Sequence, residues 1–281
     1  MTALCRMDFF DVHQHVGNLV GHIPGATKGG GTIEEDCRSR IAFMDSFGIT
    51  QSALMPAHAY DAARGAADIG AINDRLLELR ALAPERFPVL AATVDPRHGA
   101  HALGEIDRLR DLGVQALSFH NRFQGLPLDH GMMVRIAERM NGQGMVMMAH
   151  CYASADFEAP WRLRRLAEAF PAMPFLALDV QTSRENLDQL IATAERLPNL
   201  HLDLTSSLLG RNGLLKCLDR LEPTRLTFGT NFYSHGSRTS VPEIDLLLDT
   251  VTDAEALRLI GGDNARRLFG LPPSQEGEGK A

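Results

Sequence analysis

The chain has 281 residues, 44% hydrophobic and 22% charged, with a formal net charge of −7. That length and balance suit one globular domain with a sizeable core, and the acidic excess argues against nucleic acid or an anionic membrane surface as partner. No apolar run approaches the roughly 18 residues needed to cross a bilayer, no signal-peptide pattern opens the chain, and Cys5, Cys37, Cys151 and Cys217 are scattered without a C-x-x-C, so reduced thiols and a cytoplasmic location are expected.

The first apolar run, MDFFDVH (7–13), predicts a strand that closes on Asp11 and His13, with His15 just beyond. Alternate side chains of an extended strand share a face, so His13 and His15 are expected to look into one cavity while Val12 and Gln14 look outward. Two imidazoles so placed can ligate a divalent metal such as zinc; a water-facing pair without metal is the competing reading. The segment GHIPGATKGGG (21–31) lacks the G-x-x-x-x-G-K-[ST] order of a phosphate loop. It reads as a lid or a plain flexible loop, with His22 and Lys28 as substrate contacts.

IEEDCRSRIAFMDSFG (33–48) has helical spacing and opens with Thr32 and Glu35 at capping-box distance. QSALMPA (51–57) predicts the second strand and leads to His58 and Tyr60 at its end. The helix AINDRLLELRAL (71–82), the strand FPVLAATV (87–94) and the helix ALGEIDRLRDLG (102–113) follow.

The fourth strand, VQALSFH (114–120), brings His120, Asn121 and Arg122 together. His120 could move protons near neutral pH, and the planar fork of Arg122 could hold a substrate carboxylate; ordinary loop roles compete with both. The fifth, MVMMAH (145–150), ends in His150, whose ring nitrogens need partners in apolar surroundings. A third metal ligand and a histidine tied to a backbone carbonyl both satisfy that need. The sixth, PFLALDV (174–180), contains Asp179, a costly burial unless the acid is paired, hydrogen-bonded or metal-bound; a cap for the turn QTSREN is the plainer role. LHLDLT (200–205) and RLTFGT (225–230) complete the strands, the last leading to Asn231, Tyr233 and His235.

Thr182 with Glu185 and Thr252 with Glu255 have capping-box spacing, His98, His101, His130 and His201 read as structural, and the polar tail PPSQEGEGKA (272–281) is expected to be frayed and disordered. Eight strand–helix units in this length predict a single-domain (β/α)8 TIM barrel over residues 1–271. A doubly wound sheet is the alternative, but no G-x-G-x-x-G follows the first strand. In a barrel the reactive groups gather at the carboxyl ends of the strands, where the side chains singled out above stand.

These residues carry a family resemblance. DVHQH (11–15), FGITQSALMP (47–56), AATVDP (91–96), RLTFGTNFY (225–233) and the closing IGGDNARRLFGL (260–271) together resemble the amidohydrolase-related family of the amidohydrolase superfamily. This is the branch that holds aminocarboxymuconate-semialdehyde decarboxylase, related aromatic-acid decarboxylases, and lactone or amide hydrolases. The resemblance implies one divalent metal, commonly zinc, held by the first-strand H-x-H, the fifth-strand His and an eighth-strand Asp, with a sixth-strand His beside it.

His13, His15 and His150 match. Asp179 stands at the sixth-strand His position, Asn231 at the eighth-strand Asp position, and Ser118 where some members carry a bridging lysine. A neutral amide ligates a metal and accepts a proton poorly, so Asp179 becomes the expected fourth ligand or general base, with His120 and Asn231 as further catalytic residues. Arg122, His58, Tyr60, Asn121, Tyr233 and His235 are expected around a small carboxylated or aromatic substrate, and the family's habit implies a homodimer.

Three functions follow: a metal-dependent hydrolase; a decarboxylase or other lyase, isomerase or cyclase working with a weakened or absent metal; and a non-catalytic binding barrel.

Overall fold

The computed structural model describes residues 8–17, 32–58, 62–205, 207–234 and 240–273. Tyr60, His235, the segment 21–31 and residues 274–281 of the tail therefore lie outside the described residues. No helix among those described is long and apolar enough to cross a membrane.

Among the described residues nine strands run in parallel: β1 (Phe9–Val16), β2 (Ile49–Pro56), β3 (Val89–Ala92), β4 (Ala116–Phe119), β5 (Val146–His150), β6 (Phe175–Leu178), β7 (Leu200–Asp203), β8 (Leu226–Thr227) and β9 (Phe232–Tyr233). Helices alternate with them: α1 (Ile33–Ser46), α2 (Ala66–Leu82), α3 (Ala100–Asp111), α4 (Asn121–Gln124), α5 (Gly131–Met140), α6 (Pro160–Ala169), α7 (Arg184–Ala194), α8 (Gly210–Arg220), α9 (Pro242–Thr250), α10 (Ala254–Arg258) and α11 (Asn264–Leu268). Neighbours in sequence are neighbours in the sheet from β1 to β8, as right-handed strand–helix–strand crossovers require.

The sheet closes on itself through a divided eighth position. Val12 N donates to Phe228 O at 3.0 Å just past β8, and β9 then pairs with β1 at Gln14 and His15. The result is the (β/α)8 TIM barrel expected from the alternation.

Side-chain alternation splits the core in two. Phe10, Met55, Ala91, Ala116, Met148 and Leu176 belong to a cluster inside the barrel, stacked from below by Phe269 against Phe10 at 6.2 Å. Their neighbours in sequence, such as Phe9, Leu54, Leu117 and Met147, pack against the helices.

β1 breaks this alternation. Between Asp11↔Ser52 and Gln14↔Leu54 it spends three steps against two on β2, a bulge that reverses the facing of everything beyond it. Val12 shares the interior cluster with Phe10, two residues before it, rather than facing outward. His15 pairs with the inward Met55 instead, while Gln14 pairs with the helix-facing Leu54.

Helix starts follow cap chemistry. Thr32 and Glu35 form the expected capping box on α1. The other two lie one residue later than expected: Ser183, not Thr182, caps α7, and Asp253, not Thr252, caps α10. His130 caps α5 by accepting from Met132 N, a structural role as expected.

Candidate metal centre

Three histidines meet at the mouth of the barrel. His13 and His15 arrive from β1, His150 from the end of β5; all three are buried, and their ligating nitrogens lie within 4.8 Å of one another. In each ring the Nδ1 is already engaged. His15 Nδ1 donates to Pro56 O at 2.8 Å, His150 Nδ1 to Phe119 O at 2.8 Å, and His13 Nδ1 to Asp203 Oδ2 at 2.9 Å.

Since a carbonyl only accepts, the protons of His15 and His150 sit on Nδ1 and their Nε2 atoms carry lone pairs. His13 Nε2 and His15 Nε2 face each other at 3.0 Å, and His150 Nε2 is buried with no hydrogen-bond partner among the described residues. With His13 neutral, its Nε2 lone pair and those of His15 and His150 converge as a donor set for a divalent cation. The residues present fit the metal that the sequence implies.

Electrostatics agree with that arrangement. Burial lowers the pKa of His150 to about 4, and burial followed by the charges of its neighbours pushes His15, His58 and His120 well below the ordinary imidazole value. Burial pulls His13 down too, but the hydrogen bond and charge of Asp203, with Asp179 and Asp11 behind it, outweigh burial and leave it raised. A carboxylate behind a ligand imidazole orients the ring and increases its basicity.

Sequence reasoning missed Asp203, although an acid closing the apolar strand LHLDLT carries the same signal that singled out Asp179. Its Oδ1 accepts from Thr205 N at 3.0 Å and Thr205 Oγ1 at 2.6 Å. Gly229 makes room for the group: a Cβ there would stand 2.2 Å from Thr205 Oγ1, 2.6 Å from Asp203 Oδ1 and 2.8 Å from His13 Cβ.

A second buried group fixes the end of β1. Arg40 on α1 is wholly buried and donates to Asp36 Oδ1 at 3.1 Å, Gln14 Oε1 at 3.3 Å, His15 O at 2.5 Å and Ser234 Oγ at 2.8 Å. Ser234 Oγ in turn donates to Asp36 Oδ2 at 2.7 Å and accepts from Gly17 N at 2.8 Å. Helix α1 thus clasps β1 to the segment just past β9. Asp11 does the same lower down, accepting from His13 N, Gln14 Nε2, Thr230 N and Thr230 Oγ1. No periodicity marks Arg40 as different from an exposed helical arginine, so the sequence carried no signal for it.

Asp179 and Asn231 are the only non-glycine residues with left-handed backbone among those described, at φ 59° and 55°. Such conformations cost free energy in an L-residue, least in Asn and Asp, and they cluster at functional sites. Asp179, expected as fourth ligand, stands outside the three-nitrogen group; its Oδ2 accepts from the Tyr152 hydroxyl at 2.5 Å. Its charge is still felt by His13 and His150. Asn231 Oδ1 has no hydrogen-bond partner among the described residues. Tyr152, Thr230 and Asn231 line a cavity of 880 Å³ that reaches Ser183, Ser207 and Glu243.

On the β4 side, His120 stacks on His150 at 4.1 Å and is bonded through Nδ1 to Glu158, a fully buried carboxyl that sequence reasoning did not single out. Glu158 Oε1 also accepts from Arg122 N at 2.9 Å, and burial lifts its pKa to about 8. The Arg122 guanidinium, partly exposed, lies 4.7 Å from the Tyr152 ring centre. His58 Nε2 meets Ser118 Oγ at 2.9 Å, and Tyr233 stacks on His15 at 4.4 Å. Asn121 is buried, with its Nδ2 spent on Leu126 O at 2.7 Å.

Comparisons with known proteins agree with this reading of the fold. Residues 10–271 match the family model described as Amidohydrolase. A dihydroxybenzoic acid decarboxylase from Polaromonas sp. JS666, with bound manganese and 2-nitroresorcinol, superposes with a TM-score of 0.70 at 17% identity, covering 97% of this chain and 99% of that one. A 5-carboxyvanillate decarboxylase from Novosphingobium aromaticivorans DSM 12444, complexed with manganese and 4-hydroxy-3-methoxy-5-nitrobenzoic acid, gives 0.72 at 15% identity, over 94% and 96%. A 2,6-dihydroxybenzoate decarboxylase complexed with 2,6-dihydroxybenzoate gives 0.71 at 16% identity, over 94% and 100%. Comparison with the curated proteins found no match.

Proposed function

The chain belongs to the amidohydrolase family, and from that premise we propose that it is a metal-dependent decarboxylase of a small carboxylated, aromatic molecule. The observation that carries this reading is the convergence of three imidazoles, each tied at Nδ1, with no carboxylate in the group. Hydrolysis asks for a base beside a metal-bound water, and here the eighth-strand acid of the family pattern is an amide, Asn231.

His13, His15 and His150 would hold the metal, and an all-imidazole set favours zinc over manganese. When bound, the metal supplies positive charge that polarises an oxygen of the substrate. Asp203 orients His13 from behind. Arg122 holds the substrate carboxylate at the mouth, with Tyr152 beneath its guanidinium. As the carboxyl–carbon bond breaks, its electron pair stays on the substrate carbon, which takes up a proton in place of carbon dioxide. Asp179 and Tyr152 are the residues we assign to move that proton, and His120, oriented by Glu158, stacks on both His150 and Tyr152. A hydrolytic reading draws on that Glu158–His120 pair as its proton-transfer couple.

The test is elemental analysis of purified protein and of His13→Ala, together with carbon dioxide release from 2,6-dihydroxybenzoate and 5-carboxyvanillate. Zinc near one per chain that is lost in the variant, with release that Asp179→Asn abolishes, is expected. Protein without stoichiometric metal, or release untouched by Asp179→Asn, refutes the assignment.

A further inference from the structure

Tyr152 and Asp179 follow different strands, β5 and β6, yet their side chains meet at 2.5 Å, the phenol donating to Oδ2. Strand pairing does not reach that far. The ladder carries the two chains side by side to His150 and Leu178, with Cys151 N donating to Leu178 O at 3.2 Å just beyond. Both chains then leave the sheet, Asp179 in left-handed backbone at φ 59°. A general acid or base acts only within hydrogen-bond reach, so something past the sheet has to fix the distance between the two segments.

Asn186 spans them. It closes the stretch QTSREN, lies in the first turn of α7 and is wholly buried. Its Oδ1 accepts from Ala153 N at 2.8 Å and its Nδ2 donates to Cys151 O at 3.0 Å, so one carboxamide grips the residue on each side of Tyr152. The same Nδ2 donates to Val180 O at 3.2 Å and, in a longer branch at 3.4 Å, to Asp179 O. Asn186 N donates to Ser183 Oγ, the cap of α7, at 3.1 Å, which anchors the amide on the helix rather than on either loop. Only a carboxamide offers an acceptor and two donors in this shape; aspartate lacks the donors and alanine lacks both.

We propose that Asn186 is the positioning residue that holds Tyr152 and Asp179 at the separation proton transfer needs. This rests on the reading that the pair moves the proton, and it adds the group that sets their distance. The sensitivity is steep, since a misplacement of about 1 Å between reacting groups costs roughly a hundredfold in rate.

The experiment is a double-mutant cycle between Tyr152→Phe and Asp179→Gly, read as the unfolding equilibrium constant in chemical denaturation. It is run in the wild-type chain and again in Asn186→Ala. Glycine serves at 179 because it takes a left-handed φ without strain. The wild type should show a coupling of about tenfold or more, the worth of a hydrogen bond to a carboxylate. In Asn186→Ala the two effects should become additive within about twofold. Asn186→Asp keeps the size and the acceptor for Ala153 N, should show the same loss, and serves if the alanine variant does not fold. Ser183→Ala removes the cap of the same helix and none of the side-chain bonds of Asn186, so it should lower stability and leave the coupling intact. A wild-type pair that is already additive, a coupling that survives in Asn186→Ala and Asn186→Asp, or one lost equally in Ser183→Ala would overturn the proposal. Carbon dioxide release tells this failure from that of the reaction assigned above. On a compound whose release Tyr152→Phe lowers, Asn186→Ala should lower kcat and leave KM nearly unchanged. Release untouched by Tyr152→Phe counts against the proton-transfer reading, while the stability cycle still decides Asn186.

Discussion

Arg40→Met removes the guanidinium that clasps the metal-bearing strand. Asp36 is left as a fully buried carboxylate without its cation, and His15 O and Ser234 Oγ each lose a donor. Breaking one partner of a buried ion pair costs about 3–5 kcal/mol, which lowers the Tm of a chain this size by roughly 6–20 °C. Asp36→Leu strands the guanidinium instead and should cost about as much. The double variant Asp36→Leu/Arg40→Met puts two apolar side chains where the pair stood, an exchange that is often close to neutral.

A double-mutant cycle by chemical denaturation should therefore show a coupling energy of about 3 kcal/mol or more. The double variant keeps the fold yet no longer restrains the His15 carbonyl. Hydrogen exchange in the peptide spanning residues 9–17 should quicken in it, and zinc affinity by calorimetry should fall roughly 10–100-fold, the usual cost of losing support behind a ligand. Additive single effects, or unchanged exchange together with unchanged affinity in the double variant, would refute the clasp.

Gly229→Ala drives a methyl group into Thr205, Asp203 and His13, so calorimetry should show zinc binding weakened at least tenfold; wild-type affinity would mean that the Asp203–His13 contact is dispensable. Asn231→Asp places a carboxylate where the family pattern has one, and the zinc dissociation constant should drop about tenfold or more; an unchanged constant would place that side chain outside the metal's reach. The Glu158 carboxyl, held near 8 in the fold against 4.5 unperturbed, keeps a proton that the unfolded chain releases. Its stabilising contribution is complete below 4.5 and is lost as pH climbs through about 8. The Tm of the wild type relative to Glu158→Gln should accordingly fall between about pH 5 and pH 8.5, and parallel melting curves across that range would contradict it.

Local patterns in the chain determined a great deal. Apolar runs and amphipathic spacers placed β1 to β8, though not the two-residue β9, because burial acts on each segment separately and leaves its period in the residues. The three histidines were legible for the same reason: strand ends in a barrel share one mouth, so His13, His15 and His150 could be brought together without coordinates.

Tertiary structure decided what depends on register and on distant partners. The bulge after Asp11 puts Val12 and His15 on the same inner face, which strict alternation forbids. Asp203, Glu158 and Arg40 become functional candidates only through contacts spanning 190, 38 and 194 residues, with His13, His120 and Ser234 respectively, and no local period encodes those. The strand pattern alone placed Asp179; its Oδ2 partner, the hydroxyl of a tyrosine 27 residues earlier brought alongside by the pairing of β5 with β6, was set by the tertiary structure.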